Sequence, residues 1–124
     1  MQRNESIDRS NPNCPIRNIL ARICDKWSML IMLTLYENGN MRFNQLQKAI
    51  PDVSQKMLTQ TLRKLEDDGL VSRKVYPEVP PRIEYALTER SVSLIPCINT
   101  LVNWALDNMN NIIYDRTLKM NKGA

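Results

Sequence analysis

The sequence predicts one mainly helical domain of the α+β class with a single β-hairpin. A chain of 124 residues is long enough for one hydrophobic core and short for two. The apolar share of 43% is typical of globular proteins, and only three glycines and one phenylalanine argue against an all-β fold. Apolar residues recur mainly at helical spacing. We therefore expect a domain over residues 14–113, between a polar N-terminal tail at 1–13 and a C-terminal tail at 114–124.

Two helices are predicted at the start of this domain. Pro15 is typical of a first helical position, where its missing N–H costs nothing. An apolar stripe at i, i+3, i+4 and i+7 then predicts a helix with one buried face, formed by Ile16, Ile19, Leu20 and Ile23. Residues 27–36 are apolar on nearly every side, which predicts a central helix that Gly39 ends.

A helix-turn-helix pattern follows. Residues 40–43 have the pattern of a short strand and residues 43–50 that of a short helix, which Pro51 interrupts. Ser54 can cap a second helix over residues 54–68 by accepting a backbone N–H with its hydroxyl. One narrow arc of this helix is apolar and holds Leu58, Leu62 and Leu65. The opposite arc carries cationic and hydrogen-bonding side chains, namely Lys56, Thr59, Gln60 and Arg63.

A β-hairpin is predicted directly after this helix. Gly69 closes the helix, Leu70–Tyr76 has the pattern of a strand, and residues 83–87 alternate between apolar and other side chains. The proline-rich residues 77–81 join the strands in a stiff tip. The hairpin over residues 71–87 also carries cations close to its tip, namely Arg73, Lys74 and Arg82.

The last helical region carries more apolar surface than a terminal surface helix needs. Thr88 can cap this region, and apolar residues continue at helical spacing to Ile113. Some of this surface is expected to meet another chain. We expect Pro96 to kink the region or to divide it in two.

Helix, turn, helix and hairpin in this order predict a winged helix-turn-helix fold, in which the second helix enters the DNA major groove. Arg and Lys can pair with guanine, Gln with adenine, and Thr with a phosphate or a thymine methyl. The same polar arc is also typical of a solvated helix surface, but the cationic hairpin after it favours DNA binding. The predicted DNA contacts are Arg42, Ser54, Gln55, Lys56, Thr59, Gln60, Arg63, Lys74 and Arg82.

The charge balance and the residue types argue against several other classes of protein. The net charge is +4 and the pI is about 9.1, which suits a polyanionic partner. The sequence has no histidine, no glycine-rich phosphate loop and no close cysteine pair, so we expect no enzymatic activity, no cofactor and no metal site. It also shows no signal peptide and no bilayer-spanning stretch, which predicts a cytoplasmic protein.

The chain resembles the HxlR-type winged-helix regulators, relatives of the MarR group. The matching motifs are Cys14-Pro15, Lys26-Trp27, Arg42-Phe43, Ser54 to Thr59, Leu65 to Val71, Pro80 to Thr88, Leu94, Pro96 and Trp104. The resemblance implies a bacterial transcription regulator that binds DNA as a homodimer, with the first and last helices in the interface. Asp25 and Ser91 stand where glycines are usual, and we expect these departures to affect local helix geometry only. The alternative is a winged-helix protein–protein interaction module that does not bind DNA.

The three cysteines are expected to differ in their roles. The resemblance implies that a cysteine at the position of Cys14 can sense oxidants or electrophiles, so an oxidant or a small molecule is a candidate effector. A helix N-terminus favours a thiolate, which supports this role. The alternative is that Cys14 is a small apolar residue packed at the dimer interface. Cys24 and Cys97 are predicted to be buried and inert.

Overall fold

The computed structural model describes residues 7–123 and contains five helices and one two-stranded antiparallel sheet within that range. The elements are α1 (Pro15–Ile23), α2 (Lys26–Asn38), α3 (Phe43–Ala49), α4 (Gln55–Asp67), β1 (Val71–Tyr76), β2 (Arg82–Leu87) and α5 (Glu89–Lys122). The predicted α+β class is confirmed. The chain divides into two compact units between Ser93 and Leu94.

Side chains cap several of the helices at the predicted positions. The Ser54 hydroxyl accepts a hydrogen bond from the Met57 N–H at 3.0 Å at the start of α4. At the start of α5, the Ser91 N–H donates to the Thr88 hydroxyl at 3.4 Å, and the Thr88 N–H donates back to the fully buried Ser91 hydroxyl at 3.0 Å. These bonds satisfy backbone groups that have no partner inside the helix. Ser91 therefore has a capping role that a glycine at this position could not perform.

The core of the first unit lies between α2, α3, α4 and the start of β1. Leu58, Leu62 and Leu65 are almost completely buried, which confirms the predicted apolar arc of α4. They share the core with buried side chains of the other elements, namely Ile31, Met32, Leu35, Leu46 and Val71. The α2 helix buries one face only, because Leu30 and Tyr36 are exposed, so the prediction of burial on nearly every side is wrong.

The apolar stripe of α1 is not buried. No residue of this helix is buried, and Ile16, Ile19 and Leu20 are 38%, 51% and 43% exposed. The predicted burial of this face does not occur within the single chain. Helical periodicity identifies an apolar stripe that must pack against another surface. It does not tell whether that surface belongs to the same chain.

The predicted strand at residues 40–43 is reduced to one bridge. The Met41 N–H donates to the Tyr85 carbonyl at 2.9 Å, and the Tyr85 N–H donates to the Met41 carbonyl at 2.8 Å. The next residue, Arg42, is already the N-cap of α3, so no room is left for a longer strand. The bridge attaches β2 to the segment that enters the helix-turn-helix.

The hairpin is antiparallel and pairs Val71 with Leu87 at its base and Tyr76 with Arg82 at its tip. Both strands thus agree with the prediction to within one residue. Residues 77–81 form the connection, and Val79 is fully exposed in it.

The α5 helix runs without interruption through Pro96 to Lys122. The prediction that proline divides this region is therefore wrong. Proline removes one backbone N–H from the helix, and the regular hydrogen bonds on either side are sufficient to continue it. The helix also passes through residue 113, so residues 114–122 of the expected tail are helical. No described helix has an apolar stretch long enough to cross a membrane.

Candidate nucleic-acid interface

The outer face of α4 carries the polar arc that the sequence predicted. Gln55, Lys56, Gln60 and Arg63 are exposed, while the leucines on the other side are buried. Lys56, Gln60 and Arg63 follow one another at i, i+4 and i+7 and therefore form one stripe along the helix. Their amide and cationic groups are available to a partner.

Two of the predicted hydroxyl contacts already take part in backbone hydrogen bonds. The Ser54 oxygen accepts from Met57 as the cap of α4. The Thr59 hydroxyl is half-buried and donates to the Gln55 carbonyl at 2.9 Å. A hydroxyl that caps a helix can still donate its hydrogen, and one that donates to a carbonyl can still accept. Each of these hydroxyls therefore keeps hydrogen-bonding capacity for a partner.

The turn between α3 and α4 is held by a side chain of α3. The Gln47 amide donates to the Val53 carbonyl at 2.5 Å, and Val53 is buried. The hairpin over residues 71–87 is the wing of this fold. Arg42 is exposed at the start of α3, where it lines a groove together with residues 78–83 at the tip of the wing. The structure therefore brings Arg42 beside the hairpin.

Two ion pairs tie the inner side of α4 to the residues around the turn between α1 and α2. The Lys64 ammonium lies 2.5 Å from the Asp25 carboxylate, and the Arg22 guanidinium lies 2.6 Å from Asp68. The Asp25 carboxylate also accepts from the Ser28 N–H at 2.9 Å and so caps α2. The prediction that Asp25 affects local helix geometry only is therefore wrong. Its partner Lys64 is distant in the sequence, so helix periodicity could not identify the contact.

The wing places a further cation beside α4. Arg73 is exposed on β1, opposite Tyr85 in the sheet, and lines a cleft with Thr59, Arg63 and Glu66 of α4. Arg73 was located near the hairpin tip by the sequence pattern but was not among the predicted DNA contacts. The strand pattern gave its location along the chain, whereas its position next to Arg63 depends on how the hairpin packs on α4.

The two predicted wing cations, Lys74 and Arg82, lie in different surroundings. Lys74 is exposed, with its ammonium 4.9 Å from the centre of the Tyr76 ring. Arg82 is half-buried, with its guanidinium carbon 4.0 Å from the same ring. Arg82 also lies within ion-pair distance of two carboxylates, at 3.6 Å from Glu78 and 3.3 Å from Glu84. The two cations are therefore not equivalent.

Cys14 occupies the N-cap position of α1, as predicted, and its side chain is 2% exposed. The Asp8 N–H donates to its sulfur at 3.4 Å. The backbone N–H groups of Arg17 and Asp8 lower the pKa of the Cys14 thiol, against a smaller effect of burial in the opposite direction.

Cys24 and Cys97 are exposed, so the prediction that burial keeps them inert is wrong. Cys24 follows the last residue of α1, where the helical arc no longer determines which way a side chain faces. Cys97 lies about 200° around α5 from buried Ile95 and therefore points away from it. Among residues 7–123, no cluster of three or more histidine, cysteine, aspartate or glutamate side chains could hold a metal ion.

The second unit presents a large apolar surface. Many large apolar side chains of α5 are more than a third exposed, among them Leu101, Val102, Trp104, Leu106, Met109, Ile113, Tyr114 and Leu118. Isolated exposed apolar residues are common, but this many on one helix form a larger apolar surface than single chains usually expose.

Comparison with known proteins agrees with this arrangement. A family model described as HxlR-like helix-turn-helix matches residues 22–113. An HTH-type transcriptional regulator of Methanothermobacter thermautotrophicus is 46% identical over 91 residues, which are 73% of this chain and 69% of that protein. The structure of the transcriptional regulator YtfH from Salmonella typhimurium aligns with a TM-score of 0.79 at 34% identity, covering 89% of this chain and 97% of that one.

A redox regulator is also among the similar structures. HypR in its oxidized form aligns with a TM-score of 0.69 at 39% identity, covering 77% of this chain and 97% of that one. The residues that match the family model extend from the end of α1 across the hairpin into α5. The chain therefore belongs to the HxlR-like helix-turn-helix family of transcriptional regulators.

Proposed function

We propose that this protein is a sequence-specific DNA-binding transcription regulator that acts as a homodimer. The observation that carries the proposal is the exposed stripe of Lys56, Gln60 and Arg63 on α4, opposite a fully buried leucine arc. A helix with this division can be held rigidly by its core side while its other side lies in a major groove. The wing then lies against the adjacent groove or backbone.

The individual contacts follow from side-chain chemistry. Gln55, Gln60 and Arg63 suit base edges, since glutamine pairs with adenine and arginine with guanine. Cations suit phosphates, as do hydroxyls at a helix N-terminus, and in this role we include Arg42, Ser54, Lys56, Thr59 and Lys74. Arg73 joins them, because it lines the cleft between α4 and the wing with Arg63.

A homodimer is supported by the apolar side chains that the single chain leaves exposed. The stripe of α1 and the long apolar surface of α5 would both be removed from water in a symmetric pair. Two α4 helices related by a two-fold axis would read half-sites about one helical turn, or a multiple of it, apart. The half-site spacing on DNA is thus a second expected outcome of the same proposal.

Footprinting on the DNA upstream of the protein's own and neighbouring genes would identify the operator, and titration of that fragment would measure affinity. Neutralising about six to ten phosphates predicts a loss of roughly 10³ to 10⁵ in affinity between about 50 and 200 mM salt. The double substitution Lys56→Glu with Arg63→Glu is expected to abolish binding. Lys119→Glu with Lys122→Glu changes the net charge by the same amount on α5 and serves as the matched control.

Two results would contradict DNA binding. One is an affinity that does not depend on salt, and the other is equal binding by the two double variants. Retention of a protein partner by the α4 variant, with no DNA binding by the wild type, would instead favour an interaction module. For the dimer, Ile19→Asp is expected to lower the molar mass in sedimentation from twice 14.4 kDa to 14.4 kDa.

Cys14 supports an additional role as an oxidant sensor. Its thiol pKa is lowered by backbone N–H groups, and HypR, with a similar structure, is a redox regulator. Burial of the side chain favours the competing role as a packing residue. Release of operator DNA by oxidant in the wild type, but not after Cys14→Ser, is the result that the sensing role predicts. Equal release in both proteins would remove it.

A further inference from the structure

Resting on the proposed DNA binding, we propose that Arg82 does not contact DNA but neutralises Glu78 and Glu84, so that a wing with two carboxylates can approach the phosphate backbone. Residues 71–87 contain three cations, Arg73, Lys74 and Arg82, and two anions, Glu78 and Glu84, for a net charge of +1. A wing that meets DNA must therefore keep its carboxylates from repelling the phosphates.

The Arg82 side chain makes three contacts inside the hairpin. Its Nη1 lies 3.6 Å from Glu78 Oε1, and its Nε lies 3.3 Å from Glu84 Oε2. Its guanidinium carbon lies 4.0 Å from the centre of the Tyr76 ring, directly across the ladder. A guanidinium is a flat group that can pair with carboxylates along its edge while one face stacks on an aromatic ring.

Burial also favours an internal role for this side chain. Only 28% of the Arg82 side chain is exposed. Its Nε is shielded from solvent and finds no hydrogen-bond acceptor in the described part of the chain, because the Glu84 carboxylate is near it but lies off the N–H direction. This contact is therefore an ion pair without a hydrogen bond. A shielded Nε cannot donate to a phosphate.

The same contacts leave Lys74 available. The strand register sets Lys74 opposite Glu84, where a cross-strand ion pair would be ordinary. Within residues 7–123, however, Glu84 pairs with Arg82, and Lys74 remains exposed beside the Tyr76 ring. Arg82 thereby occupies the carboxylate that would otherwise compete with DNA for the Lys74 ammonium. In this assignment Lys74 is a phosphate contact and Arg82 is a positioning residue.

A direct contact and a neutralising residue both predict weaker binding after Arg82→Gln, so the single variant cannot distinguish them. They differ in how the substitution combines with removal of the carboxylates. If Arg82 already neutralises Glu78 and Glu84, then Glu78→Gln with Glu84→Gln changes affinity little in the wild type and restores it in Arg82→Gln. If Arg82 contacts DNA, the two changes act independently.

The test is a double-mutant cycle on operator binding by the full-length protein, measured by fluorescence anisotropy at several salt concentrations. We expect Arg82→Gln to weaken binding about tenfold, and removal of both carboxylates in that background to recover affinity to within about threefold of wild type. The same carboxylate removal is expected to change wild-type affinity by less than about threefold. The triple variant also lacks the Tyr76 stacking, so its recovery cannot come from restored packing.

Salt dependence gives the second readout. The triple variant should keep the wild-type slope, whereas Lys74→Gln should lower it by about 0.9 for each phosphate that the lysine no longer neutralises. Carboxylate effects that are equal in the two Arg82 backgrounds, or a triple variant with a reduced slope, would overturn the proposal while leaving DNA binding intact. Absence of operator binding by the wild type would instead refute the proposed function, on which the role of Arg82 depends.

Discussion

Replacement of Asp25 tests whether α4 is held in place by the residue that caps α2. Asp25→Ala removes three partners of one carboxylate: the Ser28 N–H at 2.9 Å, the Ser28 hydroxyl at 2.7 Å and the Lys64 ammonium at 2.5 Å. The Ser28 hydroxyl is fully buried, but it also reaches the Arg22 carbonyl at 3.2 Å. It is therefore not left without a hydrogen-bond partner by the substitution.

The expected decrease in unfolding free energy follows from the other two interactions. Loss of an N-cap acceptor costs about 1 kcal/mol. The ion pair with Lys64 is about one-third exposed, with side chains 26% and 34% accessible, so solvent screening limits its contribution to about 0.5 kcal/mol. Asp25→Ala should thus cost about 1.5 kcal/mol, and Asp25→Asn, which retains a capping oxygen, about 0.5 kcal/mol.

Urea unfolding followed by circular dichroism measures these differences, with all proteins at one concentration because association adds to apparent stability. Burial raises the pKa of Asp25, but hydrogen bonds from Lys64 and Ser28 outweigh this effect and hold the pKa below its ordinary value of 3.8. The carboxylate therefore stabilises the fold above that value, and its contribution is lost as the pH falls through the lower folded-state pKa. The difference between wild type and Asp25→Asn should shrink accordingly.

Equal stability of wild type and both variants at neutral pH would refute the assignment of these contacts. A wild-type advantage over Asp25→Asn that grows on acidification would refute the sign of the pKa argument. If Asn and Ala cost the same, the cap contributes nothing and the ion pair alone holds the helix.

Two further predictions concern single positions. Both Gly69 and Gly39 have positive φ, 71° and 78°, but a Cβ at Gly69 would lie 2.6 Å from Nη1 of Arg90, whereas one at Gly39 meets nothing within 4 Å. The Arg90 guanidinium is the end of a flexible side chain and can move aside, whereas Gly39 combines φ 78° with ψ −149°, a region almost restricted to glycine. In urea unfolding, Gly69→Ala should therefore cost about 1 kcal/mol and Gly39→Ala about 2 kcal/mol, and a larger cost at Gly69 would contradict this backbone argument. In a variant that keeps only this cysteine, the Cys14 thiol should titrate below its ordinary pKa of 9.0 by thiolate absorbance, yet alkylate more slowly in the folded protein than in urea because its side chain is buried. Alkylation of Cys14 at equal rates in both would show that its burial is not maintained in solution.

The local patterns of the sequence were sufficient to predict most of the helices and the hairpin. The leucine arc of α4, the cap at Ser54 and the strands on either side of residues 77–81 all depend on spacing within one element. The motifs from Cys14 to Trp104 were also sufficient for the family, and the exposed polar arc on α4 was predicted from helical spacing.

Pairings between elements were decided by the tertiary structure. Lys64 and Asp25 are 39 positions apart, and no periodicity relates them. Arg82 was predicted as a DNA contact from its charge and its place in the wing, but its ion pairs with Glu78 and Glu84 depend on the path of the hairpin tip.

By itself, the sequence determined which side chains share a face of each element, because helices and strands repeat at fixed periods. It did not determine what covers each face. The stripe of α1 was predicted to be buried and Cys97 of α5 to fill the core, and both are exposed in the single chain. Only the tertiary structure decided this, since burial depends on which surfaces the folded chain brings together and not on the period of any one element.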